Sequence, residues 1–180
     1  MRIATWNINS IRLRIQLVID FIKEHDIDVL CLQETKTEDQ YFPASAFADA
    51  GWLHQAIRGE KGYNGVAIIS RQPLSQIHYR DLAGKTDCRH ITAVTVEGVK
   101  IENFYVPAGG DLPDPVQNPK FAHKLKFISD MTQHFLEHPP KSQILVGDLN
   151  IAPLESDVWS HKQLLKVVSH TPIEVERLDA

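Results

Sequence analysis

Cysteine is scarce: only Cys31 and Cys88 occur in 180 residues, and their spacing matches no metal-binding pattern. Cys31 lies inside an apolar run, so both are expected as reduced thiols, which argues against a disulfide framework or a zinc module. No apolar run is long enough to cross a bilayer, which excludes a membrane-spanning helix of ordinary length. The opening Met1-Arg2-Ile3-Ala4-Thr5-Trp6-Asn7 reads as a strand, not as a charged leader with an apolar stretch behind it, and the cytoplasm is the expected compartment. An excess of basic residues is also missing. The net charge of −4 argues against holding nucleic acid by general basicity. It does not argue against a nucleic-acid enzyme, because a metal site concentrates acids and the bound cation reverses the local sign. Repeats, low-complexity tracts and linkers are absent, so a single domain over residues 1–180 is expected, large enough for a substantial core.

What is present is a series of strands that end in polar groups. Arg2 to Ile8 alternates as a strand ending at Asn7, and Ser10 is placed to cap a helix whose Ile11, Ile15, Val18 and Ile22 recur at helical spacing. Ile27 to Leu32 is a near-continuous apolar run, as in a strand covered on both faces, and it runs into Gln33-Glu34-Thr35-Lys36. Pro43 to Ala50 predicts a short helix closed by Gly51, Trp52 to Ile57 a strand, and Val66 to Ile69 another. Between those two strands Arg58, Lys61 and Asn64 stand in a glycine-rich loop, either facing a polyanion or simply solvated. After a weaker strand at Gln76 to Tyr79, Glu97-Gly98 joins Ile91 to Val96 and Lys100 to Val106 as a hairpin. Antiparallel strands following a parallel opening imply mixed sheets.

The stretch Pro107 to Pro119 is a long loop, and Phe121 to Leu136 is a helix with Phe121, Leu125, Ile128 and Met131 on one side and Lys120 and Lys124 on another. Pro139 and Pro140 stop it. Gln143 to Val146 reads as a short buried strand that delivers Gly147, Asp148 and Asn150 to its end, and Lys162 to Val168 as a short helix. No clear element is expected from Thr171 onward, and His161 and His170 are expected to face solvent.

Asp148 and Asn150 are two apart, so in an extended segment both side chains point the same way; they either shape a turn or hold a divalent ion and a water. The tie is broken by convergence. Asn7, Glu34 and the pair Asp148 with Asn150 each stand at the carboxyl end of a strand, where sites in α/β sheets form. They are the few hard oxygen ligands that Mg²⁺ takes in phosphate chemistry. Tyr105, in Asn103-Phe104-Tyr105-Val106-Pro107, brings a phenol to the same rim.

Thr5-Trp6-Asn7-Ile8-Asn9, Leu32-Gln33-Glu34-Thr35-Lys36, Asn64-Gly65-Val66-Ala67, Asn103-Phe104-Tyr105-Val106-Pro107-Ala108-Gly109 and Gly147-Asp148-Leu149-Asn150-Ile151-Ala152-Pro153 resemble, in order, the motifs of the exonuclease III family of DNA-repair nucleases and abasic-site endonucleases. The resemblance covers nearly the whole chain. It implies a deoxyribonuclease I-like four-layer α/β/β/α sandwich of two mixed sheets with outer helices. It also implies Mg²⁺-dependent hydrolysis of DNA phosphodiesters, with Mn²⁺ as a substitute, on duplexes with abasic sites or 3′ ends. By motif, Glu34 would ligate the metal with Asn7 beside it, and Asp148 would orient or deprotonate the attacking water. Asn150 would hold phosphate or metal, and Tyr105 would adjoin the scissile phosphate. Arg89, Asn64, Lys120 and Lys124 are the expected substrate contacts. The family's terminal segment, with its Ser-Asp-His, has no counterpart here, so the sandwich is expected to be C-terminally incomplete. Two further readings follow: a fragment that binds DNA or metal without turnover, and a relative that cuts RNA or another phosphoester.

Overall fold

The computed structural model describes residues 1–139 and 141–180; Pro140, expected to help end a helix, lies outside the described residues. The chain falls into two compact units. The first holds Met1–Asp81, Thr86–Tyr105 and Lys141–Asp148, and the second Leu82–Lys85, Val106–Pro140 and Leu149–Ala180.

Both sheets belong to the first unit. One has the order β1-β2-β4-β3, built from β1 (Ile3–Asn7), β2 (Val29–Gln33), β3 (His54–Arg58) and β4 (Val66–Ser70). The other has the order β5-β6-β7-β8, from β5 (Ser75–His78), β6 (His90–Val94), β7 (Lys100–Tyr105) and β8 (Gln143–Asp148). Each sheet is mixed: β1 runs parallel to β2 and β7 parallel to β8, while the other pairings are antiparallel.

β2 shows why its sequence is apolar throughout. Leu30 and Leu32 pack with Val18 and Ile22 of α1 (Ile11–Glu24) and with Phe47 of α2 (Ala44–Asp49), while Val29 and Cys31 face the other way, onto Ile91, Ala93 and Ile101 of the second sheet. Helix layer, sheet and sheet are thus three of the four expected layers. Each fully buried aliphatic side chain contributes about 1.5–3 kcal/mol relative to exposure, so these two faces dominate the unit's stability. Trp52 is buried beneath the helices and donates Nε1–H to the Ile27 carbonyl at 3.0 Å.

Three local expectations need correction. Ser10 makes no side-chain cap; its φ of 85° turns the backbone so that its N–H meets the Glu34 carbonyl at 2.7 Å. Arg58 does not face solvent in the glycine-rich loop, because its guanidinium is buried against Asp81 and stacks over Tyr79. β8 is not a covered strand. It continues to Asp148 and stands at a sheet edge among the described residues, with Ile144 and Leu145 about 40% exposed.

The second unit is helical. α3 (Pro119–Glu137) starts with Asn118 accepting from the Lys120 N–H and buries Phe121, Leu125, Ile128 and Met131. α4 (His161–Leu164) is shorter than the predicted helix. α5 (Pro172–Asp179) was not expected; Thr171 and Glu174 form a capping box around Pro172, and the helix packs on α3, with Arg177 donating to the Leu125 carbonyl at 3.2 Å.

Candidate active site

In the first unit the ends of β1, β2, β7 and β8 converge. The parallel pairing of β1 with β2 sets Asn7 against Gln33, so Asn7 stands beside the turn that carries Glu34. The parallel pairing of β7 with β8 sets Tyr105 against Asp148 in the same register. Asn7 joins the two sheets: its Nδ2 donates to Glu34 Oε1 at 2.7 Å and to Asp148 Oδ2 at 2.8 Å. Its Oδ1 accepts from the Asn9 N–H at 3.1 Å, which leaves the amide no reason to flip. Tyr105 donates its hydroxyl to Glu34 Oε1 at 2.8 Å. The sequence-predicted Asn7, Glu34, Tyr105 and Asp148 therefore form one hydrogen-bonded cluster.

Glu34 sits at φ 54°, in the left-handed region, which costs backbone energy and turns the carboxylate off the strand axis. Burial works against its ionisation, but hydrogen bonds from Asn7, Lys36 and Tyr105 outweigh this and hold the carboxyl below its ordinary range. For Tyr105 the causes act together: burial first, then the hydrogen bond to Glu34, push the phenol well above its ordinary value. At neutral pH the cluster therefore has an ionised Glu34 and a phenol that keeps its proton.

Two supports were not foreseen. Lys36 lies 2.8 Å from Glu34 Oε2 and 2.6 Å from Asn9 Oδ1. Beneath the site Gln33 and Asn103 bridge the sheets: Gln33 Nε2 donates to Asn103 Oδ1 at 2.7 Å and to Thr5 Oγ1 at 3.0 Å. Asn103 Nδ2 in turn donates to the carbonyls of Leu32 and Ala67, both at 3.0 Å. A carboxamide closing an all-apolar strand was the available signal, since a buried amide has to find partners.

The remaining candidates divide. Arg89 lies next to Tyr105, its guanidinium 4.7 Å from the ring centre, Nε 2.7 Å from Asp87, and a terminal nitrogen donating to the Tyr105 carbonyl at 3.3 Å. Asn64, at φ 42°, donates to Glu60 at 2.6 Å, and its carbonyl accepts the Lys36 N–H at 2.9 Å, so it braces the turn behind Glu34.

In the second unit Asn150 has φ 51°, which breaks the expected alternation with Asp148, and its Nδ2 donates to the Val106 carbonyl at 2.9 Å. Lys120 is exposed at the start of α3. Lys124 is a correction. It is fully buried, paired with Glu174 at 2.5 Å and donating to the Asn150 carbonyl at 2.6 Å, so its ammonium is spent on the protein and not on a phosphate.

Two carboxylates sharing one amide fit a hard divalent cation. Among the described residues no group of three or more His, Cys, Asp and Glu is arranged for a metal, and this cluster offers two carboxylates, Glu34 and Asp148. Mg²⁺ typically takes one or two carboxylates and fills its shell with water and substrate phosphate. No helix among the described residues is long and apolar enough to cross a membrane.

Known proteins resemble this chain in sequence and in fold. Residues 4–173 match the model of the endonuclease/exonuclease/phosphatase family. The chain is 30% identical to exodeoxyribonuclease III of Haemophilus influenzae over 165 residues, which is 88% of this chain and 60% of that protein. It is 27% identical to an exodeoxyribonuclease of Bacillus subtilis over 166 residues, 90% of this chain and 63% of that protein. Among solved structures, an AP endonuclease from Archaeoglobus fulgidus aligns with a TM-score of 0.90 at 33% identity, covering 99% of this chain and 69% of that one. A 3′ phosphatase from Neisseria bound to product DNA hairpin aligns with a TM-score of 0.87 at 30% identity, with the same coverage. The chain spans about 60% of the length of the curated relatives it matches. Two mixed sheets with flanking helices are the fold of these structures. The chain belongs to the endonuclease/exonuclease/phosphatase family, in its branch of exonuclease III and AP endonucleases.

Proposed function

We propose that this chain carries the catalytic carboxylates of a Mg²⁺-dependent DNA phosphodiesterase of base-excision repair, acting at abasic sites and at 3′ ends. The observation that carries the reading is the single Asn7 amide holding Glu34 and Asp148 together across two sheets. Glu34 and Asp148 would hold the metal, with Asn7 beside it. When bound, Mg²⁺, or Mn²⁺ in its place, supplies positive charge against the charge that builds on the phosphate oxygens.

The protein's own groups do the rest. Asp148 accepts a proton from the attacking water, and Asn7, donating to its Oδ2, fixes which way that carboxylate points. Tyr105 keeps its proton through burial and its bond to Glu34, so it adjoins the phosphate as a neutral phenol and not as a phenolate, and donates to a phosphate oxygen only by turning its one O–H away from Glu34. Asn150 holds phosphate or metal, and Arg89, Asn64 and Lys120 contact the DNA backbone, which positions substrate without reading sequence.

The test is incision of a duplex carrying one abasic site, and trimming of a 3′ end, by the purified chain with Mg²⁺ and with a chelator. Asp148→Ala serves as the control. Metal-dependent cutting that falls about 10²–10⁴-fold in the variant is expected for loss of a general base. Equal rates for variant and parent, or cutting that survives chelation, overturn the assignment. The same assay separates this reading from a second one, a chain that binds DNA or metal without turnover. Metal-dependent DNA binding without cutting, by a chain shown to be folded, selects it.

A further inference from the structure

His161 and His170, expected to face solvent, turn toward each other instead: His170 is buried, with Nε2 2.9 Å from His161 Nδ1 and Nδ1 2.6 Å from the Ala152 carbonyl, so its ring nitrogens are spent inside the second unit. Lys36, in the first unit, is less settled.

The Glu34 carboxylate is engaged on both oxygens. Oε1 accepts from Asn7 Nδ2 at 2.7 Å and from the Tyr105 hydroxyl at 2.8 Å, which takes both of its lone pairs. Oε2 faces the Lys36 ammonium at 2.8 Å. A divalent ion on this carboxylate must therefore use Oε2. With metal–oxygen bonds of about 2.0–2.1 Å, ion and ammonium would stand roughly 4 Å apart on one oxygen, and like charges at that range repel strongly in a partly buried site.

Lys36 is built to yield. Its main chain is fixed, the N–H donating to the Asn64 carbonyl at 2.9 Å, but its ammonium ends a flexible stem, 30% exposed, with Asn9 Oδ1 at 2.6 Å as a second acceptor. The head group can leave without moving the turn that carries Glu34. Beside it lies a cavity of about 180 Å³ whose lining includes Lys36, Arg12, Lys61 and Tyr41 together with the carboxylate of Glu38. Three cations against one carboxylate suit a phosphate.

We infer, on the reading that Glu34 ligates the metal, that Lys36 is a resident cation which the divalent ion displaces: the ammonium neutralises Glu34 until the ion arrives and then turns to a phosphate of the DNA. Metal and DNA each weaken the pair that the other has to break, so their binding is cooperative, by the same factor in either order.

The test titrates the whole chain with Mn²⁺ alone, counting free ion by electron paramagnetic resonance, and repeats the titration with a non-cleavable duplex carrying one abasic site. Lys36→Met, at a part-exposed position, keeps the fold and most of the stem's volume. It should bind Mn²⁺ about tenfold or more tighter than the parent, and the gain in Mn²⁺ affinity that the duplex confers on the parent should shrink to less than about twofold. Equal or weaker Mn²⁺ binding in Lys36→Met overturns the rivalry. So does an equal gain in Lys61→Met, which would make the effect one of general charge. Glu34→Gln tests the underlying reading separately. Loss of the Mn²⁺ site there, with parental affinity in Lys36→Met, leaves Glu34 as a ligand and removes Lys36 alone; undiminished binding in Glu34→Gln takes the metal off Glu34, and both readings fall.

Discussion

Lys124→Met should destabilise the protein by about 3–5 kcal/mol, because it strands a buried carboxylate. Lys124 and Glu174 are both fully buried and 2.5 Å apart. Glu174 would keep its bonds from the Ser169 N–H, at 2.9 and 3.0 Å, and from the Thr171 hydroxyl at 2.6 Å, but no cation would face it. The Asn150 carbonyl, 2.6 Å from the ammonium, and the Ala108 carbonyl, 3.3 Å away, would lose a charged donor as well. Methionine fills most of the lysine's volume, which limits any cavity contribution. Urea unfolding at pH 7, followed by circular dichroism, reads the effect; with a slope of about 1–3 kcal/mol per molar, the midpoint should drop by roughly 2 M. Adding Glu174→Gln to Lys124→Met removes the stranded charge and should restore part of the loss. A single variant within about 1 kcal/mol of the parent, or a double variant no more stable than the single, refutes the reasoning.

Tyr105→Phe deletes a hydrogen bond to an ionised carboxylate, worth about 1.5–3 kcal/mol, and in an active preparation should lower kcat roughly 10–100-fold; an unchanged kcat would remove Tyr105 from the mechanism. Glu34 and Glu102 both have carboxyls held below the ordinary 4.5: at each, burial opposes ionisation, but hydrogen bonds outweigh it, led by Asn7 for Glu34 and by His90 for Glu102. A depressed folded-state value means their contribution is fully present above about pH 4.5 and lost as pH falls through the folded values, so urea midpoints should be flat near neutrality and fall in acid. A midpoint that rises below pH 4.5 contradicts this. Gly147→Ala should cost at least about 2–4 kcal/mol, because a Cβ at φ 141° would stand 1.9 Å from the Phe104 carbonyl oxygen; thermal unfolding near the parent value would show that β7 and β8 can move apart.

The carboxylate cluster was legible because its members share a rule. Asn7, Glu34, Tyr105 and Asp148 each close or follow a strand, and an apolar run ending in a polar group can be read without coordinates. What joins them could not be read: Asn7 reaches Asp148 across 141 positions, and only the pairing of β1 with β2 and of β7 with β8 brings them together. Lys124 was misplaced although the signal was there. It lies on the stripe of Phe121, Leu125 and Ile128, and a lone lysine on such a stripe is buried and paired. The last helix is hard to read because Thr171 to Ala180 is short and acidic, yet Thr171, Pro172 and Glu174 spell a helix start. β8 was misjudged for another reason: an apolar run indicates a strand but not how many neighbours it has.

Asp148 is the final residue of a strand secured by one ladder, to β7, among the described residues. β2, which leads into Glu34, is gripped from both sides. The two carboxylates of one cluster therefore ride on supports of unequal stiffness, and the Asn7 amide is the tether between them. Local opening favours margins over interiors, so amide hydrogens of β8 should exchange before those of β2. The proposed general base would then be the first part of the site to drift, with Glu34 still in place.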